Sequence, residues 1–200
     1  MYTVLVVDDD PAIREIFTAF LQQRGFTAIA VSGGRECLDL LEIRTPDIIL
    51  LDLMMEPMDG WETLREIRHH PRAGLVPVMI ITGKLPVPAD ILQYGGLIED
   101  FIGKPLEFGE LVACLPRTLE KIRDLNQAAA QRQEAGMDPA RIAEYTRLLR
   151  LVRLTNTLIR RHKDKSWAER VFLEKQEERL ASLHALLGFP DRFLAWDEKG

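Results

Sequence analysis

The sequence has little from which a disulfide framework or a membrane span could be built. Its 200 residues include only two cysteines, Cys37 and Cys114, which lie far apart in segments of helical periodicity. We interpret them as reduced core thiols of an intracellular protein. No apolar run approaches the roughly 18 residues that a membrane helix needs, and the first apolar run is too short and lacks the basic flank of a signal peptide. We therefore expect a cytoplasmic protein without membrane insertion.

Charge of one sign dominates each part of the chain. Residues 1–116 hold 9 Lys and Arg against 18 Asp and Glu, a net charge of −9, and residues 117–200 hold 17 against 13, a net charge of +4. This asymmetry indicates two parts with different roles, which we predict to be domains of residues 1–116 and 117–200.

Strand and helix signals alternate five times in the first part. The strands are short apolar segments, and each is followed by apolar residues at helical spacing. Pro86, Pro88 and the pair Gly95-Gly96 predict that the fourth helix is short, around Ala89–Tyr94. Such alternation is typical of a doubly wound α/β fold with a parallel sheet, for which we expect the strand order 2-1-3-4-5. The predicted strands are Thr3–Val7, Thr27–Val31, Ile48–Leu51, Val76–Thr82 and Asp100–Gly103.

Polar residues follow four of these strands at the point where each strand ends. Asp8 and Asp9 follow the first strand, Asp52 the third and Lys104 the fifth, while Thr82 closes the fourth. Because parallel strands end at one edge of a sheet, these side chains should converge. Crowded carboxylates attract a divalent cation, and their hard oxygen ligands favour Mg²⁺ or Mn²⁺ over zinc.

This edge suits phosphoryl chemistry on a carboxylate. Asp52 can act as a nucleophile towards phosphorus. Lys104 can neutralise a phosphoryl oxygen, Thr82 can donate its hydroxyl, and Gly83 leaves room for the group. Asp10 and Asp59 are better explained as loop carboxylates or helix caps. The four histidines have no metal-ligand spacing, and we expect them at the surface: His69, His70, His162 and His184.

The ordered motifs resemble the receiver domain of two-component response regulators, over about residues 1–116. They are Val6-Val7-Asp8-Asp9, Asp52 with its loop to Gly60, Ile81-Thr82-Gly83, and Phe101-Ile102-Gly103-Lys104-Pro105. The resemblance implies the flavodoxin-like receiver fold seen in chemotaxis receivers, and phosphorylation of Asp52 by a histidine kinase or a phosphotransfer protein.

The resemblance also implies a role for each site residue. Asp9, Asp52 and the Met54 carbonyl would ligate Mg²⁺, with Asp8 helping through water. Thr82 and Phe101 would form the switch that changes the surface of the fourth helix, fifth strand and fifth helix. Met54 and Lys84 would tune the lifetime of the phosphoryl group, and the Lys104-Pro105 bond would be cis. The chain departs from the family where Glu56 replaces the usual loop proline and Gly83 a commoner alanine.

The second part has three helical segments, predicted at about residues 117–133, 139–162 and 167–187, as a hairpin or bundle. Pro116 should interrupt the preceding helix or begin a new one. Asp138 and Ser166 are predicted N-caps, with Glu169 completing a capping box at the second. Phe193 and Trp196 could pack from the tail. In the last helix, Leu173, Leu180, Leu183 and Leu187 suggest a/d-type packing.

The middle helix carries two opposed faces. Its apolar face could pack in the bundle or in a homodimer, and comprises Leu148, Leu151, Val152, Leu154, Leu158 and Ile159. The opposite wedge is basic, with Arg150, Arg153, Arg160 and Arg161, and we interpret it as solvated. Helices of about 20 residues do not suit a helix-turn-helix, so nucleic-acid binding is disfavoured. No histidine has the setting that a phosphotransfer bundle needs.

We therefore expect a non-enzymatic signalling protein that assists its own phosphoryl transfer and slow autodephosphorylation. Its output would be contact with a downstream protein effector. Two alternatives stay open: a transcription regulator with an atypical basic helical DNA-binding domain, and a pseudo-receiver that serves as an unphosphorylated scaffold. No cyclase, esterase or phosphodiesterase motif is visible.

Overall fold

The computed structural model describes residues 1–84, 86–105, 108–162 and 173–194. These residues form two compact units that interleave along the chain. The first comprises residues 1–85 and 100–119, and the second comprises residues 86–99 and 120–200. The fold confirms the predicted class, while a domain boundary near residue 116 stays a prediction.

The first unit is built on a five-stranded parallel sheet with the predicted order β2-β1-β3-β4-β5. The strand β4 begins two residues later than expected, because Pro77 has no N–H to donate to a ladder and contributes only its carbonyl, which accepts from Ile49. The strands are β1 Thr3–Val7, β2 Thr27–Val31, β3 Ile48–Leu51, β4 Val78–Thr82 and β5 Asp100–Gly103.

Three helices of this unit begin where the sequence supplies a cap or a glycine. They are α1 Pro11–Gln23, α2 Gly34–Ile43 and α3 Gly60–His69. Asp10 caps α1 by accepting from Ala12 at 2.8 Å. Asp59 and Glu62 form a capping box at α3, so both aspartates have the cap role that was expected of them. Buried strand residues such as Val4, Ile48 and Met79 pack with Phe17 and Leu115 in one core.

The second unit is helical. It contains α4 Pro88–Tyr94 with a 3₁₀ turn at Gly95–Leu97, the later part of α5 Phe108–Glu134, then α6 Pro139–His162, α7 Leu173–Leu187 and a 3₁₀ turn at Asp191–Phe193. The short α4 and the ends of α6 agree with the prediction, and Asp138 caps α6 at Ala140. No helix among the described residues is long and apolar enough to span a membrane.

The helix α5 contradicts the predicted interruption at Pro116, since it runs through that residue without a break. Pro116 lies on the exposed side of the helix. There, water can bond to the carbonyl group that the missing N–H leaves free. A helix that is already anchored by buried residues on its other side, such as Leu115 and Leu119, tolerates this loss.

The core of the second unit contains a histidine that was expected at the surface. His184 is buried between the Tyr145 hydroxyl, 2.9 Å from Nδ1, and Asp191, 3.1 Å from Nε2. The fully buried Tyr145 ring stacks on Phe189 with centroids 4.2 Å apart. The surface prediction is wrong for His184 because its two ring nitrogens find partners that no local pattern reveals.

The basic wedge of α6 is also different from the predicted solvated face. Arg150 pairs with Glu99, and Arg153 donates to the carbonyl of Phe193 at 2.8 Å. The apolar residues of α6 and α7 are buried in their own unit, including Leu148, Val152, Leu158, Leu180, Leu183 and Leu187. Several predictions lie outside the described residues: the caps at Ser166 and Glu169, Trp196, and the side chains of Cys114, Arg160, Arg161, His162 and Leu173.

Candidate functional site

Three carboxylates meet at the carboxyl edge of the sheet, as the strand ends predicted. Each of Asp8, Asp9 and Asp52 offers an oxygen that lies within 4.8 Å of the other two. Asp8 is 3% exposed and Asp52 is 6% exposed, whereas Asp9 faces solvent. The backbone N–H of Asp52 bonds to the Val7 carbonyl at 2.9 Å, which ties the end of β3 to the end of β1. The edge is therefore a compact acidic site with one open side.

Lys104 supplies the counter-charge for the two buried carboxylates. Its Nζ donates to Asp8 Oδ2 at 2.7 Å and to Asp52 Oδ2 at 2.8 Å. Its backbone N–H bonds to the Thr82 carbonyl at 2.8 Å, and its peptide bond to Pro105 is cis, as expected. Lys104 thus joins Asp8 and Asp52 at one edge of the sheet, although it lies 96 and 52 positions from them in the sequence.

Burial and charge act in opposite directions in this cluster. Burial raises the pKa of Asp8, although bonds from Lys104 and from the Asp10 N–H oppose the rise. Burial alone would lower the pKa of Lys104, but its bonds to Asp52 and Asp8 outweigh that effect and the pKa is raised. Lys104 is therefore held as a cation at neutral pH.

The loop after Asp52 is shaped by a close backbone approach. A Cβ atom at Gly60 would overlap the Asp52 carbonyl oxygen and lie 2.6 Å from Leu53 Cα. Gly60 N–H bonds to the Leu53 carbonyl at 3.1 Å. The Met54 N–H donates to Asp52 Oδ1 at 3.2 Å, and the Met54 side chain is 59% exposed beside the site. Asp52 thus keeps one oxygen on Lys104 and the other on its own loop.

Thr82 and Phe101 occupy different surroundings. Thr82 is fully buried at the end of β4, and its Oγ1 accepts a long bond from the Lys84 N–H at 3.4 Å. Gly83, next to it, has open space where a Cβ would lie. Phe101 is buried in β5, beside Ile80 in the ladder. The structure therefore joins Asp8, Asp9, Asp52 and Lys104 directly, with Thr82 linked through its carbonyl and Phe101 inside the fold.

Two further residues contribute to the site and were not selected from the sequence. Arg14 Nη1 donates to the Asp8 carbonyl at 2.7 Å, and the Asp10 N–H donates to Asp8 Oδ1 at 3.0 Å. Arg14 lies one helical turn after the Asp10 cap, which is a spacing signal, but only the fold shows which carbonyl it reaches. Together these bonds fix the turn that presents Asp8.

The donor set fits a hard divalent cation. Carboxylate oxygens from Asp8, Asp9 and Asp52 converge within the distance that one ion can bridge, and the exposed Asp9 leaves an approach from solvent. A buried carboxylate paired with a lysine and adjacent to such an oxygen cluster is suited to accept an electrophilic phosphorus.

Comparison with known proteins agrees with this geometry. The protein-family model of the response regulator receiver domain matches residues 4–116 of this chain. Response regulator MprA of Mycolicibacterium vanbaalenii is 32% identical over 158 residues, which are 77% of this chain and 67% of that protein. The DNA-binding transcriptional regulator NtrC of Escherichia coli is 34% identical over 124 residues. These residues are 62% of this chain but only 26% of NtrC.

A solved structure shows the same fold with a metal. The receiver domain of the sensor histidine kinase PA1611 from Pseudomonas aeruginosa, with a magnesium ion in its active site cleft, is 28% identical. It covers 60% of this chain and 98% of its own, with a TM-score of 0.54. Fold, edge residues and relatives agree: this chain belongs to the response regulator receiver domain family of two-component signal transduction.

Proposed function

We propose that Asp52 is the phosphoacceptor of this response regulator and that a partner histidine kinase, or a phosphotransfer protein, is the donor. The observation that carries the proposal is the pairing of the buried Asp52 carboxylate with Lys104 at 2.8 Å, next to Asp8 and Asp9. This arrangement presents a nucleophilic oxygen beside a fixed positive charge.

The transfer step needs no proton on the acceptor. A carboxylate oxygen of Asp52 attacks the phosphorus of a phosphohistidine, the P–O bond forms, and the P–N bond breaks with its electron pair going to the histidine nitrogen. Lys104 lies where it can neutralise a phosphoryl oxygen, and the buried Thr82 hydroxyl can donate to another. Asp8 helps to keep Lys104 in place by sharing its ammonium group.

A magnesium ion, or manganese, fits the same acidic edge. Asp9 and Asp52 would hold it together with the Met54 carbonyl, and Asp8 would assist through water. When bound, the ion neutralises charge on the transferred phosphoryl group. The chain's own carboxylates define the position and keep the edge accessible through Asp9.

The response to phosphorylation would begin at Thr82 and Phe101. Thr82 carries a buried hydroxyl at the end of β4, and Phe101 is a buried ring in the neighbouring strand β5, so a change at Thr82 would reach Phe101 through the pairing of these two strands. The exposed side chains of Met54 and Lys84 border the site and would set the lifetime of the phosphoryl group before slow autodephosphorylation. No reaction on another substrate is proposed, and the protein is expected in the cytoplasm.

The output is a contact with a downstream protein. Two arginines of the basic wedge, Arg150 and Arg153, already bind Glu99 and the Phe193 carbonyl, which leaves fewer cations for nucleic acid among the described residues. The apolar residues that could have supported a homodimer through α6 and α7 are largely buried in their own unit. Both observations favour a different protein as the effector, in preference to DNA or a second copy of this chain.

Mass spectrometry of the intact chain after treatment with acetyl phosphate and Mg²⁺ tests the proposal. The wild type should gain the mass of one phosphoryl group, and Asp52→Asn should gain none. Asp47→Asn is a matched control, because Asp47 is an exposed carboxylate before β3 that bonds to the Thr3 N–H outside the site. It should be phosphorylated like the wild type.

An unmodified wild type would contradict the assignment and favour the unphosphorylated scaffold, whereas equal labelling of Asp52→Asn would contradict it by placing the phosphoryl group on another residue. Salt-sensitive retention on DNA would instead favour the transcription regulator.

A further inference from the structure

The segment before β5 is held on α6 by a shielded ion pair. Arg150 Nε lies 2.5 Å from Glu99 Oε1, and the two side chains are only 16% and 6% exposed. Another ion pair in the same helical unit, Arg179 with Glu144, has side chains that are 54% and 39% exposed. Because a pair removed from water is costly to break on one side only, Glu99 and Arg150 depend on each other far more than the exposed pair does.

Two glycines bring the same segment against α6 with no space to spare. A Cβ at Gly95 would lie 2.8 Å from Leu151 Cδ1, and a Cβ at Gly96 would overlap Arg147 Cγ and lie 3.1 Å from the Arg147 carbonyl. Neither glycine has a positive φ, so the backbone conformation does not require glycine here. The requirement is close packing on α6, which makes the fit sensitive to small displacements.

This segment runs directly into the strand that carries the switch aromatic. Glu99 is followed by Asp100 and Phe101, and Asp100 Oδ1 accepts from the Phe101 N–H at 2.7 Å. Phe101 pairs with Ile80 in the ladder, and Gly103 pairs with Thr82. A shift of the first residues of β5 is therefore passed along the backbone to Glu99 within two residues.

We infer that the Glu99–Arg150 pair and the Gly95-Gly96 contact form a clamp on α6 that phosphorylation of Asp52 opens. The inference rests on the proposed function, since it takes the phosphoryl group on Asp52 as the signal. The clamp makes α6 the element that receives the signal, so residues after 116 act as the first reader of the phosphorylation state.

The direction follows from the fit. The clamp is closed in this structure, and a Cβ at either glycine would already collide with α6, so a displacement at the start of β5 would lose contacts. Coupling between two sites is reciprocal. Breaking the clamp should therefore favour the phosphorylated form by the same free energy with which phosphorylation weakens the clamp.

Hydrogen exchange and an equilibrium titration test the two directions separately. In the wild type, phosphorylation by acetyl phosphate should speed amide exchange in peptides covering residues 95–99 and 147–154, and Asp52→Asn should show no such change. Arg150→Gln should show the faster exchange without phosphoryl. It should also bind beryllofluoride, a reversible phosphoryl mimic, about fivefold more tightly in the presence of Mg²⁺, near the lower end of usual coupling.

Two controls separate the clamp from a general loss of helix stability. Glu144→Gln removes the exposed pair of α6 with α7 and should leave both readouts at wild-type values. The charge-exchanged double variant Glu99→Arg/Arg150→Glu should recover slow exchange that each single variant loses, and circular dichroism at each step confirms that the helices are folded.

Each outcome has a definite meaning. Normal phosphorylation of Asp52 with unchanged exchange at residues 95–99, or weaker beryllofluoride binding by Arg150→Gln, overturns the clamp and leaves the proposed function standing. A wild type that takes up neither phosphoryl nor beryllofluoride overturns both.

Discussion

At the scale of single residues, Gly60 constrains the loop after Asp52 by a close backbone contact. The backbone of Asp52 and Leu53 occupies the space into which any side chain at residue 60 would project. Both neighbours are backbone atoms that cannot rotate away. Gly83 lies at the same edge of the sheet, but its missing side chain would meet nothing within 4 Å. The two glycines thus differ in the physical reason for their presence.

Gly60→Ala should lower the free energy of unfolding by about 1–3 kcal/mol, the usual cost of overpacking, and should slow phosphorylation because the Asp52 carbonyl is displaced. Gly83→Ala should change stability by no more than about 0.5 kcal/mol, as expected of a surface substitution. Urea denaturation of both variants measures the difference. Equal losses of stability would show that the approach at Gly60 is relieved elsewhere.

The convergence of the candidate site residues was predictable because they lie at strand ends. Asp8, Asp52, Thr82 and Lys104 each follow or close an apolar strand, and a parallel sheet brings such positions to one edge without further information. Arg14, which supports the Asp8 carbonyl, was not predictable in the same way, since a lysine or arginine on an exposed helix face has many acceptors within reach.

At the scale of elements, the loop after α3 is organised by a histidine that was expected at the surface. The His70 side chain is 8% exposed. Its Nδ1 accepts from the N–H groups of Arg72 and Ala73, each at 3.2 Å, so Nε2 carries the proton and donates to Glu42. The surface prediction is wrong for His70 because one acceptor satisfies two backbone donors of a turn.

His70→Ala should destabilise the protein by about 1 kcal/mol, since it leaves backbone donors without their partner. His70→Asn places a carbonyl oxygen near the position of Nδ1 and should lose less. Thermal unfolding monitored by circular dichroism compares the two, with the exposed neighbour His69→Ala as a control that should be close to the wild type. Identical losses in the alanine and asparagine variants would argue against the acceptor role.

Helix ends were more predictable than helix interiors. The caps Asp10, Asp59 and Asp138 were recognisable because a short polar side chain before an apolar repeat has one favoured use. The predicted interruption at Pro116 was wrong for the opposite reason. The loss of stability that a proline causes in a helix depends on which side of the helix it faces, and tertiary packing decides that.

At the scale of the whole molecule, the two units carry buried groups that make alkaline pH unfavourable. Burial raises the pKa of Cys37 in the first unit from 9.0 to about 12, and burial raises the pKa of Tyr145 in the second from 10.0 to about 12. Between these values the folded chain keeps a proton that the unfolded chain has lost. The free energy of unfolding therefore falls as pH rises through each interval.

Replacing either group should remove its share of this loss. Tyr145→Phe keeps the ring stacked on Phe189 and should flatten the decline above pH 10.0, by up to about 3 kcal/mol if each pKa unit contributes about 1.4 kcal/mol. Cys37→Ala should flatten the decline that begins near pH 9.0. Urea denaturation at a series of pH values, each variant referred to its own stability at neutral pH, measures both slopes. Slopes identical to that of the wild type would refute the assignment.

The fold of the first unit could be predicted from the sequence. That residues 86–99 belong to the second unit could not. Periodicity shows that α6 is amphipathic, but it cannot show that Gly95, Gly96 and Glu99 lie against it, because those contacts join residues about 50 positions apart and involve a short segment with no strong pattern of its own. Such long-range pairing is a property of the folded chain.

The interleaving of the units limits where the chain can be divided without disrupting either unit. The chain passes between them at residues 85–86, 99–100 and 119–120. A gene fusion near residue 116 would divide α5 and leave residues 86–99 without α6, so that Glu99 would lose its ion pair with Arg150 and Gly95-Gly96 would lose their close packing on α6. The residues after 116 therefore cannot be replaced independently of the rest of the chain. A related protein with a different C-terminal domain would need to keep α6, or another element that packs on residues 86–99.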